Sequence, residues 1–372
     1  MTEQNELGGF LIPKQRFSNY VRYLKNFLLN NFTKRKIPYT GQIELTIRCN
    51  SSCPFCSFHS LPPEITEGEM STEQIKLLID KIAELGVNAL TFTGGEPTLR
   101  KDLPEIIHHT GIIHDFMNGI ATNGYLMPKL LKEHSFEGLD YILTSIDYPT
   151  AKQHDRMRGI KVFDKVIEMI KIAHSRGIKV IVSTVVMKDN IHLLDEICEL
   201  TERLGCSAEL FPCEDIIREF PDKICQIVNI KDMIPNLFQW GRTIRDLKKK
   251  YDHILTDDFS IRVVEQGGFG KNTTFFQNVL RCHVAESFLF VKHNGKISLP
   301  CKIHPIMCVD AFKYPLDKLY NSEEVRAMIE MHDSYDFCKN CRLGCAIAAS
   351  IPTNFRAVYA KYIRGFIDGN LR

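Results

Sequence analysis

Cys49, Cys53 and Cys56 fall within eight residues, Cys49-Asn-Ser-Ser-Cys53-Pro-Phe-Cys56, and their thiols are the first groups in the chain whose spacing suggests chemistry. Thiols at intervals of four and three residues can converge on one face of a tight loop. A four-iron cluster needs one ligand per iron, and this loop offers three, leaving one iron open for an outside ligand much as a catalytic zinc keeps a free position. A zinc loop or a ferredoxin-like carrier is the plainer alternative, but zinc sites favour paired Cys-x2-Cys units and no fourth cysteine lies nearby. Six more cysteines fall between Cys282 and Cys345, spaced Cys282-x18-Cys301, Cys308, then Cys338-x2-Cys341-x3-Cys345. Thirteen cysteines without a signal peptide point to metal or catalysis rather than to disulfides.

The elements around these residues alternate. Strand-type runs occupy 42–47, 88–93, 119–122, 139–146, 179–186 and 207–212. Helical periodicity fills the gaps. Ser71 and Gln74 make a capping-box pattern ahead of Ile75, Leu78, Ile79 and Ile82, with Gly86 as the stop. A second helix runs from Phe163 to near Gly177. Six strand–helix alternations require parallel pairing. The expected fold is therefore α/β, a partial (β/α)6 TIM-like barrel, followed by a small C-terminal cysteine-rich iron–sulfur domain. In such a barrel the chemistry gathers at the C-terminal ends of the strands, where the first cysteine loop lies. Expected boundaries are a basic amphipathic segment at 1–40, the barrel at 41–213, a connecting region at 214–280, the cysteine-rich domain at 281–350 and a last basic helix within 351–372. A hairpin is expected from FLFVK, HNG and KISLP at 288–300.

The Cys-x3-Cys-x2-Cys loop, with aromatic Phe55 before its last cysteine, resembles the signature of the radical S-adenosylmethionine (SAM) superfamily. That resemblance implies that the open iron of a [4Fe-4S] cluster on Cys49, Cys53 and Cys56 chelates the methionine part of SAM. A low-potential donor such as ferredoxin or flavodoxin would supply the electron that splits SAM into methionine and a 5′-deoxyadenosyl radical. Strand two ends in Gly94-Gly95-Glu96-Pro97, like the family's GGEP motif around the SAM amino group. Thr122 and Asn123, and Ser145 and Asp147, end the next two strands and resemble family segments that face the SAM ribose and carboxylate, while Ser183 lies on the strand after, where the family cradles ribose and adenine. His154-Asp155-Arg156-Met157-Arg158-Gly159 resembles the family's HDxxRG stretch, so Arg158 is either a SAM carboxylate partner or an ordinary solvated charge.

The C-terminal spacing resembles the SPASM/twitch extension, which implies an auxiliary [4Fe-4S] cluster. Cys282, Cys301, Cys338 and Cys341 are the best ligand set, although Gly295 is one residue from the commonest glycine spacing. Cys308 and Cys345 are left over. A second auxiliary cluster would have to borrow among them and the scattered Cys198, Cys206, Cys213 and Cys225, so one cluster is expected. A structural zinc is the alternative. Cys198 and Cys206 read as buried thiols.

Bulk properties narrow the function. A net charge of +2 gives no footprint for nucleic acid, and no 18-residue apolar run occurs, so a cytoplasmic protein is expected. About 40 residues precede strand one, fewer than the peptide-binding module that many SPASM enzymes carry. Between Lys14 and Lys36 seven basic and no acidic residues interleave with Phe17, Tyr20, Val21, Leu24, Phe27, Leu28 and Phe32. Such a helix suits a peripheral membrane contact or packing on the barrel flank. A lipid-like or other small non-peptide substrate is the preferred expectation. A peptide-modifying SPASM maturase is the alternative, and a non-catalytic iron–sulfur or zinc protein the remote one.

Overall fold

The computed structural model describes residues 17–61, 68–214, 218–220, 223–225, 230–269, 282–331 and 334–352. Strands β1 (Thr40–Thr46), β2 (Ala89–Gly94), β3 (Met117–Ala121), β4 (Tyr141–Ser145), β5 (Lys179–Val186) and β6 (Ser207–Pro212) pair in sequence order, every pair parallel. Helices α1 (Phe17–Phe32), α2 (Thr72–Leu85), α3 (Leu103–His108), α4 (Met127–Glu133), α5 (Ala151–Arg158), α6 (Phe163–Ser175) and α7 (Leu194–Arg203) accompany them. Strands β5 and β6 fall on the expected residues, and the rest differ at their ends by two residues or fewer. This is the expected partial barrel.

Local chemistry explains the best-defined helix. Ser71 Oγ accepts from the Gln74 N–H at 3.2 Å while Gln74 Oε1 accepts from the Ser71 N–H at 2.9 Å, so the expected capping box is present in both directions. Gly86 ends the helix at φ 98°, a left-handed conformation that suits glycine. Ile75, Leu78, Ile79, Ile82 and Leu85 all point into the core, each contributing about 1.5–3 kcal/mol over exposure.

The C-terminal hairpin is not set apart from the barrel sheet. After short strands β7 (Arg218–Phe220) and β8 (Lys223–Cys225) and helices α8 (Leu237–Lys248) and α9 (Asp258–Glu265), the strand β9 (Phe288–Val291) runs parallel to β1, opposite Thr40–Ile43. β10 (Lys296–Leu299) and β11 (Met307–Asp310) continue antiparallel, giving one nine-stranded sheet in the order β11-β10-β9-β1-β2-β3-β4-β5-β6. Thus the hairpin forms at 288–299 as its alternation predicts, and β1 is flanked on both sides.

Helix α1 departs from expectation in the face it buries. Among its described side chains Asn19, Asn26 and Asn30 are buried, with Asn26 Nδ2 donating to Gly86 O at 2.8 Å and to Asn88 Oδ1 at 2.6 Å. Val21, Leu24, Leu28 and Phe32 remain exposed among the described residues. Among the described side chains the helix is therefore docked by amide hydrogen bonds together with Leu29, which packs against the core, while four residues of its apolar stripe face outward. No described helix is long and apolar enough to cross a membrane. The expected final helix, and Lys14 and Arg16, lie outside the described residues.

Candidate active site

The cysteine loop leaves β1 through an irregularity. Register shifts between Glu44 and Thr46, a bulge-type change that re-aims the chain just before Cys49. The end of β2 is pressed against it: the Gly95 N–H donates to Thr46 O and the Glu96 N–H to Arg48 O, both at 2.8 Å. A Cβ on Gly94 would meet Thr46 O at 2.0 Å, and one on Gly95 would meet Arg48 O at 2.3 Å. Both glycines are therefore required for the approach of the chain to itself, whatever ligand they also face.

Glu96 knits the next strand ends together. It is fully buried and accepts from Thr122 Oγ1 at 2.7 Å, from the Asn123 N–H at 2.6 Å and from the Thr98 N–H at 3.0 Å. Burial raises its carboxyl above the usual range, and these donors oppose the rise. Asn123 in turn donates through Nδ2 to Asn50 Oδ1 at 2.7 Å and to Ser51 Oγ at 3.0 Å, inside the cysteine loop. Pro97 starts a 3-10 turn capped by Glu96.

Asp147 and Arg158 form the electrostatic floor. Arg158 is the last residue of α5, not a solvated charge: it is buried, with Nη2 2.6 Å from Asp147 Oδ2 and Nη1 3.9 Å from Cys53 Sγ. Its guanidinium also lies 5.3 Å from the Phe55 ring centroid. The Ser52 N–H donates to Arg158 O at 3.0 Å, fastening the loop from a second side. Burial alone would lower Arg158, yet Asp147 and Cys53 more than offset it. Asp147 is raised by burial against the pull of Arg158. Burial likewise raises the Cys53 thiol, with Arg158 opposing and so favouring the thiolate a metal needs. His154, beneath them, is pushed down to about 3 by burial and then by Arg158, so it is neutral; its Nδ1 accepts from the Asp147 N–H at 3.1 Å. Ser145 and Ser183 pair across β4 and β5 on the alternation that carries Leu143 and Val185 into the barrel.

Cys282, Cys301, Cys338 and Cys341 line one cavity of about 120 Å³. Cys338 and Cys341 are brought together by a turn in which the Cys341 N–H donates to Cys338 O at 3.2 Å and Asn340 takes the left-handed conformation, φ 62°. Cys341 is seated by the segment after α9: the Phe269 N–H donates to Cys341 O at 2.7 Å, and a Cβ on Gly268 would meet that oxygen at 2.0 Å. Burial raises all three of Cys282, Cys301 and Cys341, the last to about 12, so these thiols would need a cation to ionise. Cys345 is exposed and sits beside Cys301 and Cys341 without lining their cavity; Cys308, on β11, does not line it either.

A shared main-chain pattern tests whether a cluster fits. The N–H two residues after a cysteine hydrogen-bonds to its sulfur at Cys49 (from Ser51, 3.4 Å), at Cys301 (from Ile303, 3.4 Å), at Cys282 (from Val284) and at Cys341 (from Leu343). Such N–H donors favour the thiolate and tune iron–sulfur centres. The donor sets fit: three thiols at the barrel mouth, four around the second cavity.

Between them lies a cavity of about 450 Å³ inside the barrel, reaching from Phe55 past Tyr141 and Glu209 to Cys213 and Cys345. Glu214 lines both cavities. Its carboxyl is raised to about 7 by burial, with Arg342 and Lys302 opposing. Sequence reasoning missed it, because one glutamate after a strand has no spacing to mark it; adjacency to Cys213 was the only signal. Tyr141 and Glu209 were missed for the same reason. As expected, Cys198 and Cys206 are buried core thiols.

The comparisons with known proteins agree with this geometry. Residues 43–201 match the Radical SAM superfamily model. The PqqA peptide cyclase of Bradyrhizobium diazoefficiens is 26% identical over 264 residues, 68% of each chain. The AdoMet-dependent heme synthase of Nitratidesulfovibrio vulgaris is 25% identical over 304 residues, 78% of this chain and 81% of that one. Among solved structures, Streptococcus suis SuiB bound to S-adenosylmethionine superposes with a TM-score of 0.64 at 14% identity, covering 90% of this chain and 76% of that chain. Native anSMEcpe with bound AdoMet gives 0.61 at 16% identity, covering 90% and 100%; both likenesses concern the fold. With the three-thiol loop at the mouth of a parallel partial barrel, residues 43–201 form a radical SAM domain, and the chain is an enzyme.

Proposed function

We propose that this enzyme modifies a peptide. In this reading Cys49, Cys53 and Cys56 hold the SAM-cleaving [4Fe-4S] cluster, and Cys282, Cys301, Cys338 and Cys341 hold one auxiliary [4Fe-4S] cluster. The observation that supports a substrate bound between these two sites is the barrel cavity walled by Phe55 at one end and by Glu214, shared with the thiol cavity, at the other. A substrate held there lies between the two cysteine sites. When bound, the two clusters and SAM supply a 5′-deoxyadenosyl radical that takes a hydrogen atom and a nearby acceptor for an electron.

The chain's own residues do the positioning. Gly94, Gly95 and Pro97 shape the cradle for SAM, and Glu96 fixes Thr122 and Asn123 against the cysteine loop. Asp147 and Arg158 hold Phe55 and Cys53 from below, while Ser145 and Ser183 present hydroxyls toward the barrel interior. Glu214, raised to about 7, can take a proton at its carboxylate from a substrate in the cavity. The barrel would extend over 41–213 and the cysteine-rich part over 281–350.

A peptide has better support than the lipid-like substrate expected from the basic N-terminal helix. It rests on the likeness to PqqA peptide cyclase, whose name identifies a peptide substrate. A tetrapyrrole is a second reading, favoured by the likeness to AdoMet-dependent heme synthase across 78% of this chain. The deciding experiment uses anaerobically reconstituted enzyme with SAM and dithionite. Short peptides encoded beside its gene, porphyrins and lipid extracts are offered in parallel. A two-hydrogen mass loss in a peptide, matched by 5′-deoxyadenosine, is the expected result. Turnover confined to the porphyrin or lipid arm would overturn the peptide assignment.

A further inference from the structure

Far from the barrel mouth, a second set of ligand-type side chains converges where the strands begin. Asp80 belongs to the second half of α2, and His114 lies three residues before β3. Asp80 Oδ1 is 2.7 Å from His109 Nε2 and 2.6 Å from His114 Nε2, and the three ligand atoms all lie within 4.8 Å of one another. The imidazole rings are 5.0 Å apart at 71°, edge to face, so both present Nε2 to the same carboxylate oxygen.

Regular helix geometry would not give this arrangement. Residues five apart on an α-helix project about 140° from each other. Here His109–Ile113 form a single π-helical turn, whose i to i+5 repeat brings His109 and His114 onto one face. Directly after it, Asp115 adopts φ 55°, a left-handed conformation uncommon outside glycine. Two departures from regular backbone flank one pair of histidines. Such departures persist where the surroundings fix them, and they cluster at functional sites.

We propose that Asp80, His109 and His114 bind a first-row divalent cation, with Zn²⁺ the best match. Two imidazoles and a carboxylate are hard-to-borderline ligands that suit zinc and leave a fourth position for water or a partner's donor. The side chains are 42%, 19% and 23% exposed, so an ion has a path in. Zinc bonds of about 2.0–2.2 Å at tetrahedral angles place ligand atoms about 3.4 Å apart, so the present contacts need open by less than 1 Å. The ion would tie α2 to the turn that feeds β3, in a site without sulfur and separate from the cysteines. A hydrogen-bonded clamp with no affinity for metal is the competing account.

The test uses cluster-loaded protein, prepared without oxygen, given micromolar Zn²⁺ and desalted. One zinc per chain should remain in addition to the cluster iron, and its X-ray absorption should show only nitrogen and oxygen neighbours. D80N and the double variant H109Q/H114Q should each lower retained zinc at least tenfold, with iron content and 5′-deoxyadenosine release unchanged; H108Q should keep it. If the variants fold poorly, the wild-type spectrum and a zinc-dependent rise in its Tm still decide. Absence of retained zinc, sulfur neighbours at about 2.3 Å, or equal zinc in wild type and variants would overturn the proposal.

Discussion

The two cysteine regions solve the same problem, gathering buried thiols, by opposite means. At the barrel mouth three cysteines come from one eight-residue loop, and the rest of the fold is spent on holding that loop: Glu96 through Asn123, Arg158 through Ser52 and Cys53. In the C-terminal cavity the loop contributes little. Cys282, Cys301 and the Cys338–Cys341 turn arrive from three separate segments, and Gly268 and Asn340 allow the last to fit. One site is local in sequence and offers three thiols; the other is assembled by tertiary contacts and offers four. In the cluster-bound state proposed here, the chemistry of the first site would be set by what an open fourth corner receives. The second depends on the whole C-terminal packing and suits a closed group.

The largest expected contrast comes from single cysteine substitutions. Cys53→Ala should abolish 5′-deoxyadenosine formation and remove about four irons per chain. Cys338→Ala should remove a similar amount of iron yet leave SAM cleavage at least partly intact. Equal loss of cleavage in both would mean the two sites are not separable as drawn. Next in size is Arg158→Met. It strands the Asp147 carboxylate in a fully buried position, and breaking such a pair costs about 3–5 kcal/mol. Iron should be lost from the barrel site first, with the C-terminal iron retained, as Mössbauer or EPR of the variant would report. Gly95→Ala comes third. Its methyl would meet Arg48 O at 2.3 Å, and forced overpacking costs about 1–3 kcal/mol, so SAM binding should weaken in calorimetry while the C-terminal site is untouched.

How much of this the sequence reveals follows the same division. The barrel strands, the capping box at Ser71 and the three-thiol loop are legible because each is encoded by near neighbours: alternation, cap chemistry, spacing. The hairpin at 288–299 is legible as a hairpin, but alternation specifies only its internal pairing, so nothing in it announces that β9 docks parallel to β1. Arg158 looks like any charge near the end of a polar helix until Asp147 and Cys53 are seen beside it. The asparagine face of α1 is hidden for a similar reason: amphipathic patterning points to the apolar residues, while the buried partners are the carbonyls and amide at 86–88. Glu214 and the converging histidines have no periodic signal at all, since a π turn is not written in a heptad or an alternation.

The smallest expected effect separates the two regions by pH. His154 is fully buried beneath Asp147 and held at about 3 by burial and by Arg158, against an ordinary value near 6.5. The unfolded chain therefore binds the proton more readily than the folded one. Stability is complete above about pH 6.5 and is lost as pH falls toward 3, at up to about 1.4 kcal/mol per unit. His154→Asn removes the titration while keeping an acceptor for the Asp147 N–H. Other groups titrate alike in both proteins, so the difference in unfolding free energy between wild type and H154N should change by roughly 1 kcal/mol between pH 7 and 5.5, measured anaerobically by denaturant titration. The loss should appear in the barrel site alone, with its iron released earlier in the wild type than in H154N as acid is added, and the C-terminal iron released together in both. A pH-independent difference would show that the imidazole is reached by water and that the floor of the barrel site is looser than its hydrogen bonds describe.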